Sequence, residues 1–254
     1  MRGGPIRQRL AAALLAPILL GAPAHAQSSR CAVPHELIED DGEFPATAAA
    51  VTHRQPVKIV AIGGASTAGS GASAATAAYP MRLEAHLTTQ LPGHVVSVVN
   101  KAAARQTAAE MATRFAELLS ERPTLVLWET GTMDAVRGIE LDAFTRTLTD
   151  GIARLKAGGA DVILVDPQYS PRTMALMNLQ PYLEAVHMVG DTAHIDVFNR
   201  FDVMHHWIDE GRFDLTLKAP RLTAEIDAIY DCIGQLLAQI IVERLISEGV
   251  RELR

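Results

Sequence analysis

The sequence predicts an α/β protein in which a mainly parallel, five-stranded sheet lies between two layers of helices. Short apolar runs rich in β-branched residues alternate with segments of helical periodicity along the chain. Strands that alternate with helices of this length need crossover connections, which favour parallel pairing and helices on both faces of the sheet. The length of 254 residues is enough for one domain with a well-buried core.

Five strands and five helices are predicted in alternating order. The apolar runs give strands at Lys58–Ile62, Val95–Val99, Thr124–Trp128, Asp161–Val165 and His194–Phe198. Apolar residues at spacings of three and four give helices at Tyr79–Gln90, Thr107–Glu121, Leu141–Lys156, Thr173–Val189 and Ile226–Ser247. Five strands in this arrangement suit a flavodoxin-like three-layer α/β/α sandwich. The sequence shows no internal repeat and no second domain.

The first 26 residues have the pattern of a secretory signal peptide. Arg2, Arg7 and Arg9 precede the apolar run from Leu10 to Leu20, and residues 24–26 read Ala-His-Ala. The alternative is an N-terminal membrane anchor, but this apolar run is too short to span a bilayer comfortably. We therefore predict cleavage near Ala26 and export to the periplasm or beyond.

After cleavage, residues 27–56 are predicted to form an arm and residues 57–254 to form the folded domain. The arm contains three prolines and no strand pattern. The mature chain keeps 20 basic and 29 acidic residues, a formal charge of −9. Without a basic cluster, neither nucleic acid nor an anionic lipid surface is an expected partner.

Cys31 and Cys232 are the only cysteines in the chain. In an oxidising compartment an even pair predicts one disulfide, which would hold the N-terminal arm against the body of the protein. The alternative is two separate buried thiols.

The segment from Lys58 to Gly69 reads as a buried strand that runs into a tight turn of small residues. In α/β proteins such a turn lies above the carboxyl ends of the strands, where nucleophiles and phosphates are held. Neither a P-loop lysine nor a regular dinucleotide-binding glycine spacing is present, so the sequence predicts no nucleotide cofactor.

This turn resembles the first block of the SGNH (GDSL) esterase family, which reads Gly-Asp-Ser-Leu-Thr-x-Gly. Gly63, Thr67 and Gly69 match the block, and the nucleophilic serine of the family falls on Ala65. A methyl group cannot attack an ester. The resemblance therefore implies an esterase fold whose nucleophile is missing.

The second and third blocks of the family, which supply its oxyanion hole, are also altered. In the pattern Asn-x-x-x-x-Gly-x-Thr, Asn100 and Thr107 match, but Arg105 replaces the glycine. In the pattern Gly-x-Asn-Asp, Asp134 matches, but Met133 replaces the asparagine. A thioether cannot donate a hydrogen bond, and loss of such a donor typically costs about 10²–10³ in rate.

The last block, Asp-x-x-His, precedes the final helix. Counting back from Tyr230 and Cys232 places its aspartate on Arg221 and its histidine on Ala224. The resemblance thus implies a fold with the nucleophile, the oxyanion donors and the base all replaced. We predict a protein that does not hydrolyse esters but binds a small-molecule, acyl or glycan ligand, or a protein partner, in the former substrate cleft.

The residues predicted to line or bind in this cleft are Gly64, Ser66, Asn100, Arg105, Glu129, Met133 and Asp134. The sequence allows two roles for the arginines near this cleft. Arg105 and Arg221 either hold a carboxylate or an acidic glycan, or form internal ion pairs with Glu129 or Asp134. Ala65 and Met133 make the predicted floor apolar, which favours an acyl or aromatic guest.

The alternative is a divergent carboxylester hydrolase, acting on acetyl or short acyl esters of a saccharide, with a relocated site. Ser66 would be the nucleophile, His205 or His206 the base, and Asp202 or Asp134 the orienting carboxylate. A metal site built on these histidines with Asp202 and Asp166 is a further alternative, although their spacing matches no recognised zinc pattern. We predict no metal.

Overall fold

A computed structural model of the chain describes residue 1, residues 30–38, residues 42–250 and residue 253. The predicted signal peptide lies outside these residues, apart from the first one. Five strands form one sheet: β1 (Val57–Ile62), β2 (Val96–Asn100), β3 (Leu125–Glu129), β4 (Asp161–Val165) and β5 (Val197–Phe198). Their order across the sheet is β2, β1, β3, β4, β5, and all neighbouring strands are parallel. The predicted α/β class is confirmed.

Ten α-helices connect and flank the strands of the described chain. They are α1 (Pro45–Thr52), α2 (Tyr79–Gln90), α3 (Ala108–Ala112), α4 (Phe115–Ser120), α5 (Thr132–Arg137), α6 (Leu141–Ala157), α7 (Pro171–Leu176), α8 (Gln180–Ala193), α9 (Arg200–Asp209) and α10 (Arg221–Ser247). Short 3₁₀ helices lie at His35–Leu37 and Ala75–Ala77.

Alternate residues of the central strands face two separate apolar cores, as expected for a sheet covered on both sides. On one face, Ile59 and Leu127 pack with side chains of α2, α9 and α10. On the other, Val60 and Trp128 pack with α3, α4, α6 and α8. Helices α2 and α10 approach closely at Gly234, where a β-carbon would lie 2.6 Å from the amide nitrogen of Leu83. Only glycine allows this contact.

The structure divides two of the predicted helices. The segment predicted as one helix at Thr107–Glu121 breaks at Thr113 and Arg114 and gives α3 and α4. After this break Phe115 packs edge-on against Trp128, with ring centroids 4.9 Å apart. The segment predicted at Thr173–Val189 gives α7 and α8. Pro181 lacks the amide hydrogen that a continuous helix needs, and it is the second residue of α8.

Two element starts and two additional helices also differ from the prediction. The last strand begins at Val197 instead of His194, because His194 adopts a left-handed conformation (φ 49°) that ends α8. The final helix begins earlier, at Arg221, directly after Pro220. The short helix α5 and the ten-residue helix α9 were not predicted. Helix α9 starts at the carboxyl end of β5, so it reaches the edge of the sheet where function is expected.

The described part of the N-terminal arm packs against the body of the domain. Thr47 of α1 donates its amide and its hydroxyl to the Asp161 carboxylate at the start of β4, each at 2.7 Å. Phe44 and Val51 are fully buried in the core. The arm therefore covers the amino ends of the strands, opposite the predicted site.

Cys31 and Cys232 form a disulfide that joins the arm to α10, as predicted. Both residues are buried. Among the described residues, no helix is both long and apolar enough to cross a bilayer.

Replacing both cysteines by alanine is expected to lower the free energy of unfolding by about 2–5 kcal/mol, because the bond closes a very long loop in the unfolded chain. Urea unfolding followed by circular dichroism measures this change. A reducing agent should destabilise the natural chain and leave the double variant unaffected. Equal unfolding midpoints for the natural chain and the variant would contradict the expectation.

Candidate functional site

A buried arginine occupies the centre of the sheet edge where the carboxyl ends of the strands meet. Arg200, the first residue of α9, has no solvent-exposed surface. Its Nη2 atom lies 3.2 Å from Oε1 of Glu129, the last residue of β3. Its Nε donates to the main-chain oxygen of Asp166, directly after β4, at 3.0 Å. The guanidinium thus ties together three neighbouring strands.

The second carboxylate oxygen of Glu129 holds the turn that follows β1. It accepts a hydrogen bond from the Gly64 amide at 2.6 Å and another from the Thr67 hydroxyl at 3.1 Å. A β-carbon at Gly63 would lie 2.8 Å from Cβ of Glu129, so this position needs glycine for close approach. Glu129 is 2% exposed. The carboxylate therefore neutralises Arg200 and also fixes the small-residue turn.

Tyr79 and Asn100 extend this network around Thr67. The Thr67 hydroxyl donates its proton to Glu129. Thr67 therefore accepts the hydrogen bond from the Tyr79 phenol, whose oxygen lies 2.9 Å from the Thr67 oxygen. Burial raises the pKa of Tyr79, which keeps the phenol protonated and able to donate. The Asn100 amide donates to the main-chain oxygen of Thr67 at 2.7 Å. The turn is rigidly held on both sides.

Ser66 lies between this network and a cavity. Its Oγ accepts a hydrogen bond from Nη1 of Arg200 at 3.0 Å. Arginine has no acceptor, so the serine hydroxyl is necessarily the acceptor in this pair. Ser66 is 7% exposed and is one of the residues that line the cavity.

The cavity above Ser66 has a volume of about 520 Å³, within the range of small-molecule sites. Its walls come from the turn after β1, the segment from Gln168 to Arg172, α9 and the start of α10. Apolar side chains dominate one wall: Met204, Leu215, Leu222, Ile226, Ile229 and the ring of Tyr230. Burial raises the pKa of Tyr230 to about 12, and its hydroxyl donates to the Ser70 main-chain oxygen at 2.9 Å.

The five positions that the sequence resemblance assigns to the catalytic residues of the SGNH family differ in their burial. Ala65 lines the cavity beside Ser66. Arg105 and Ala224 are exposed, and Arg105 has a left-handed backbone (φ 67°). Arg221 is exposed at the start of α10, and Met133 is half-buried in α5.

Neither of the two arginines singled out in the sequence pairs with the predicted carboxylates. The structure corrects the expectation that Arg105 or Arg221 forms an ion pair with Glu129 or Asp134, because Glu129 pairs with Arg200. Both oxygens of Asp134 accept the Ala108 amide at the start of α3. Helix α9 was not predicted, and for that reason Arg200 was missed as the partner of Glu129.

No hydrogen bond joins Ser66 to His205 or His206, the bases of the alternative hydrolytic site, in the described chain. The hydrogen-bond partner of Ser66 is Arg200, a donor that cannot remove a proton. His205 points its Nε2 towards Asp209, 3.3 Å away, and lies against the ring of Tyr169. His206 Nε2 is buried without a hydrogen-bond partner among the described residues. Asp202, the second candidate for orienting the base, is exposed.

Asp166 uses its carboxylate to anchor the start of α9. One oxygen accepts the Phe201 amide at 2.8 Å, and the other lies 3.2 Å from Nε2 of His187. Burial raises the pKa of Asp166, and the hydrogen bond to Asp166 raises the pKa of His187. In the described chain no group of three or more histidine, cysteine or acidic side chains is arranged to hold a metal ion.

The parallel sheet, its two helical layers and the block-bearing turns at the strand ends define an SGNH-hydrolase type of α/β protein. The sequence profile of the Non-GDSL lipase-like family matches residues 30–246. The chain belongs to this family. A search of curated protein sequences gave no significant match.

Several solved structures share this fold. The chain is 22% identical to the lipase/acylhydrolase from Enterococcus faecalis, with a TM-score of 0.58 over 73% of this chain and 95% of that one. For TesA the identity is 20% and the TM-score 0.56, over 72% and 99% of the two chains. The third structure is a mutant of Axe2, an acetylxylan esterase from Geobacillus stearothermophilus. Its sequence identity to this chain is 17% and its TM-score is 0.56, over 74% of this chain and 94% of that one. At such identities the similarity establishes the fold.

The stability losses from removing the two partners of the buried Arg200–Glu129 pair are expected to be non-additive. Arg200→Met or Glu129→Gln alone should cost about 3–5 kcal/mol of unfolding free energy, because each leaves an uncompensated buried charge or polar group. The double variant should lose clearly less than the sum of the two single losses. Urea unfolding of all four proteins gives the coupling, and strictly additive losses would contradict it.

The His187–Asp166 contact is expected to make stability depend on pH. A histidine with a raised pKa in the folded state adds stability below its unfolded pKa of about 6.5 and loses that contribution above its folded pKa. His187→Gln should therefore cost more unfolding free energy at pH 6 than at pH 8 (roughly the window of histidine titration). Unfolding curves of both proteins at each pH measure this difference. A loss that is equal at both pH values, or larger at the higher one, would contradict the assignment.

Proposed function

We propose that this protein does not hydrolyse esters and that it binds an apolar ligand with an acyl or aromatic body in the cavity beside Ser66. The observation that carries the proposal is the Arg200–Glu129 ion pair at the carboxyl ends of the strands, with the Ser66 hydroxyl held by Arg200. An ester hydrolase of this fold needs a nucleophile with a base in hydrogen-bond reach.

The contacts of Ser66 support this proposal in a second way. A serine hydroxyl becomes a nucleophile when an imidazole or a carboxylate accepts its proton. In the described chain its side-chain partner is a guanidinium, which stabilises negative charge but accepts no proton. The substituted family positions Ala65, Met133 and Ala224 supply neither nucleophile, donor nor base.

The composition of the cavity supports the binding half of the proposal. One wall is formed by branched and sulfur-containing side chains of α9, α10 and the loop between them. A cavity of about 520 Å³ that is largely apolar, with a few polar groups on its floor, is typical of small-molecule sites. A saccharide would leave many hydroxyl groups without partners against this wall, so an acyl or aromatic guest fits better.

We also propose that the mature protein is exported. The sequence pattern of residues 1–26 predicts a cleaved signal peptide. The disulfide between Cys31 and Cys232 is compatible with an oxidising compartment. A protein partner at the cavity mouth stays the alternative to a small molecule.

Fluorophosphonate labelling of the purified mature protein, with mass spectrometry to map any adduct, tests the loss of hydrolysis. An active SGNH esterase is the positive control, and turnover of p-nitrophenyl acetate is measured in parallel. We expect no adduct and no turnover above the buffer rate, also in Ala65→Ser, which restores the nucleophile without its base. An adduct on Ser66, with turnover abolished in Ser66→Ala, would establish the relocated esterase instead.

Titration with the neutral dye Nile red tests the binding half on the same preparations. Leu222→Trp fills part of the cavity and should weaken dye binding, whereas Glu243→Trp places the same side chain on the exposed face of α10 and should not. Dye binding that is equal in both variants, or absent from the natural chain, would show that this cavity is not the site.

A further inference from the structure

We infer that Ser66 is a hydrogen-bond donor to the cavity ligand, polarised by Arg200, and that the ligand is a neutral molecule with a carbonyl or ether oxygen on an apolar body. This inference rests on the binding function proposed above and specifies the chemistry of its ligand.

The donor role follows from the hydrogen-bonding capacities of the two side chains. A serine hydroxyl has one proton to donate and lone pairs that accept. Arg200 can only donate, so its contact with Ser66 uses a lone pair of the serine oxygen and leaves the hydroxyl proton unused. Among the described residues, Ser66 Oγ has no other hydrogen-bond partner. Its proton is available to an acceptor in the cavity.

The position of Ser66 directs this proton towards the ligand. The side chain is 7% exposed and lies on the floor of the cavity, with the fully buried guanidinium behind it. Accepting a bond from a cation makes the hydroxyl a stronger donor, because successive hydrogen bonds polarise one another in a low-dielectric surrounding. An unpaired donor at this place is costly beside an apolar guest and is satisfied by an acceptor oxygen.

Of the hydroxyl-bearing residues that line the cavity in the described chain, only Ser66 and Tyr230 are buried, and the Tyr230 hydroxyl cannot take this role. Tyr230 already donates its proton to the Ser70 main-chain oxygen at 2.9 Å. The rim residue Thr216 donates to the Asp214 carboxylate at 2.6 Å. Ser66 therefore provides the available hydroxyl donor of the floor, and Tyr230→Phe is a matched control that removes a hydroxyl but keeps the ring.

The charge balance behind the floor favours a neutral acceptor over a carboxylate. The positive charge of Arg200 is compensated by Glu129, at 3.2 Å. Arg172, an arginine of the cavity lining, is exposed and forms no hydrogen bond with Ser66 in the described chain. A ligand carboxylate at Ser66 would therefore meet only the cation that Glu129 already compensates, and a buried charge without its own counter-ion is strongly disfavoured. A carbonyl oxygen needs only the single donor that Ser66 offers.

Three probes of nearly equal shape test this inference: benzylacetone, its hydrocarbon analogue with a methylene group in place of the carbonyl oxygen, and hydrocinnamate. Each is titrated by protein NMR into the natural chain, Ser66→Ala, Ser66→Cys and Tyr230→Phe. We expect Ser66→Ala to weaken benzylacetone about threefold to tenfold and to leave the hydrocarbon unchanged. Ser66→Cys, which keeps the volume but donates weakly, should lower the ketone affinity as well. Tyr230→Phe should keep the affinity ratio of the two neutral probes, and hydrocinnamate should bind more weakly than the ketone.

The outcomes separate the inference from the proposed function. If both neutral probes bind the natural chain and the serine variants change neither, or both equally, the donor role is overturned while binding in the cavity stands. If hydrocinnamate binds more tightly than the ketone, the preference for a neutral ligand is overturned. If no probe shifts the signals of cavity residues, both the inference and the proposed binding function fail. Melting curves show whether each variant is folded, and Ser66→Cys decides the test if Ser66→Ala is not.

Discussion

The ion pair between Arg200 and Glu129 is the constraint on which the site depends. A guanidinium without solvent exposure needs a counter-ion and acceptors for its protons, and a single carboxylate cannot satisfy all of them. The remaining acceptors are the Asp166 main-chain oxygen and the Ser66 hydroxyl. Because these groups follow β1, β3 and β4, one side chain fixes the relative positions of three strand ends and the start of α9.

In this chain a buried polar network holds the carboxyl ends of the strands that border the cavity. Glu129 fixes the turn after β1 through Gly64 and Thr67, so the turn needs no substrate contact to stay in place. The cavity above the network has an apolar wall, which is consistent with the proposed binding role.

The chemistry of the cavity floor follows from the direction of each hydrogen bond more than from the identity of the residues. Ser66 and Tyr230 are the two buried residues that bring hydroxyl groups to the described cavity lining. Tyr230 donates its proton to the Ser70 main-chain oxygen, whereas the proton of Ser66 has no acceptor within the described chain. The proton of Ser66 therefore remains for a ligand, and the compensated charge of the Arg200–Glu129 pair behind it limits what that ligand can be.

The sequence by itself determined the strand–helix alternation, the parallel sheet, the disulfide and the family resemblance. These properties depend on local patterns: β-branched runs, periodic apolar residues and fixed spacings within one turn. Such local patterns could not predict the ion-pair partner of Glu129. Its partner lies 71 positions further along the chain, at the start of the ten-residue helix α9. The two arginines that the sequence analysis singled out, Arg105 and Arg221, are exposed. The tertiary structure decides that Arg200 is the partner of Glu129. Only the side-by-side alignment of β3, β4 and β5 brings the ends of these strands within hydrogen-bond distance.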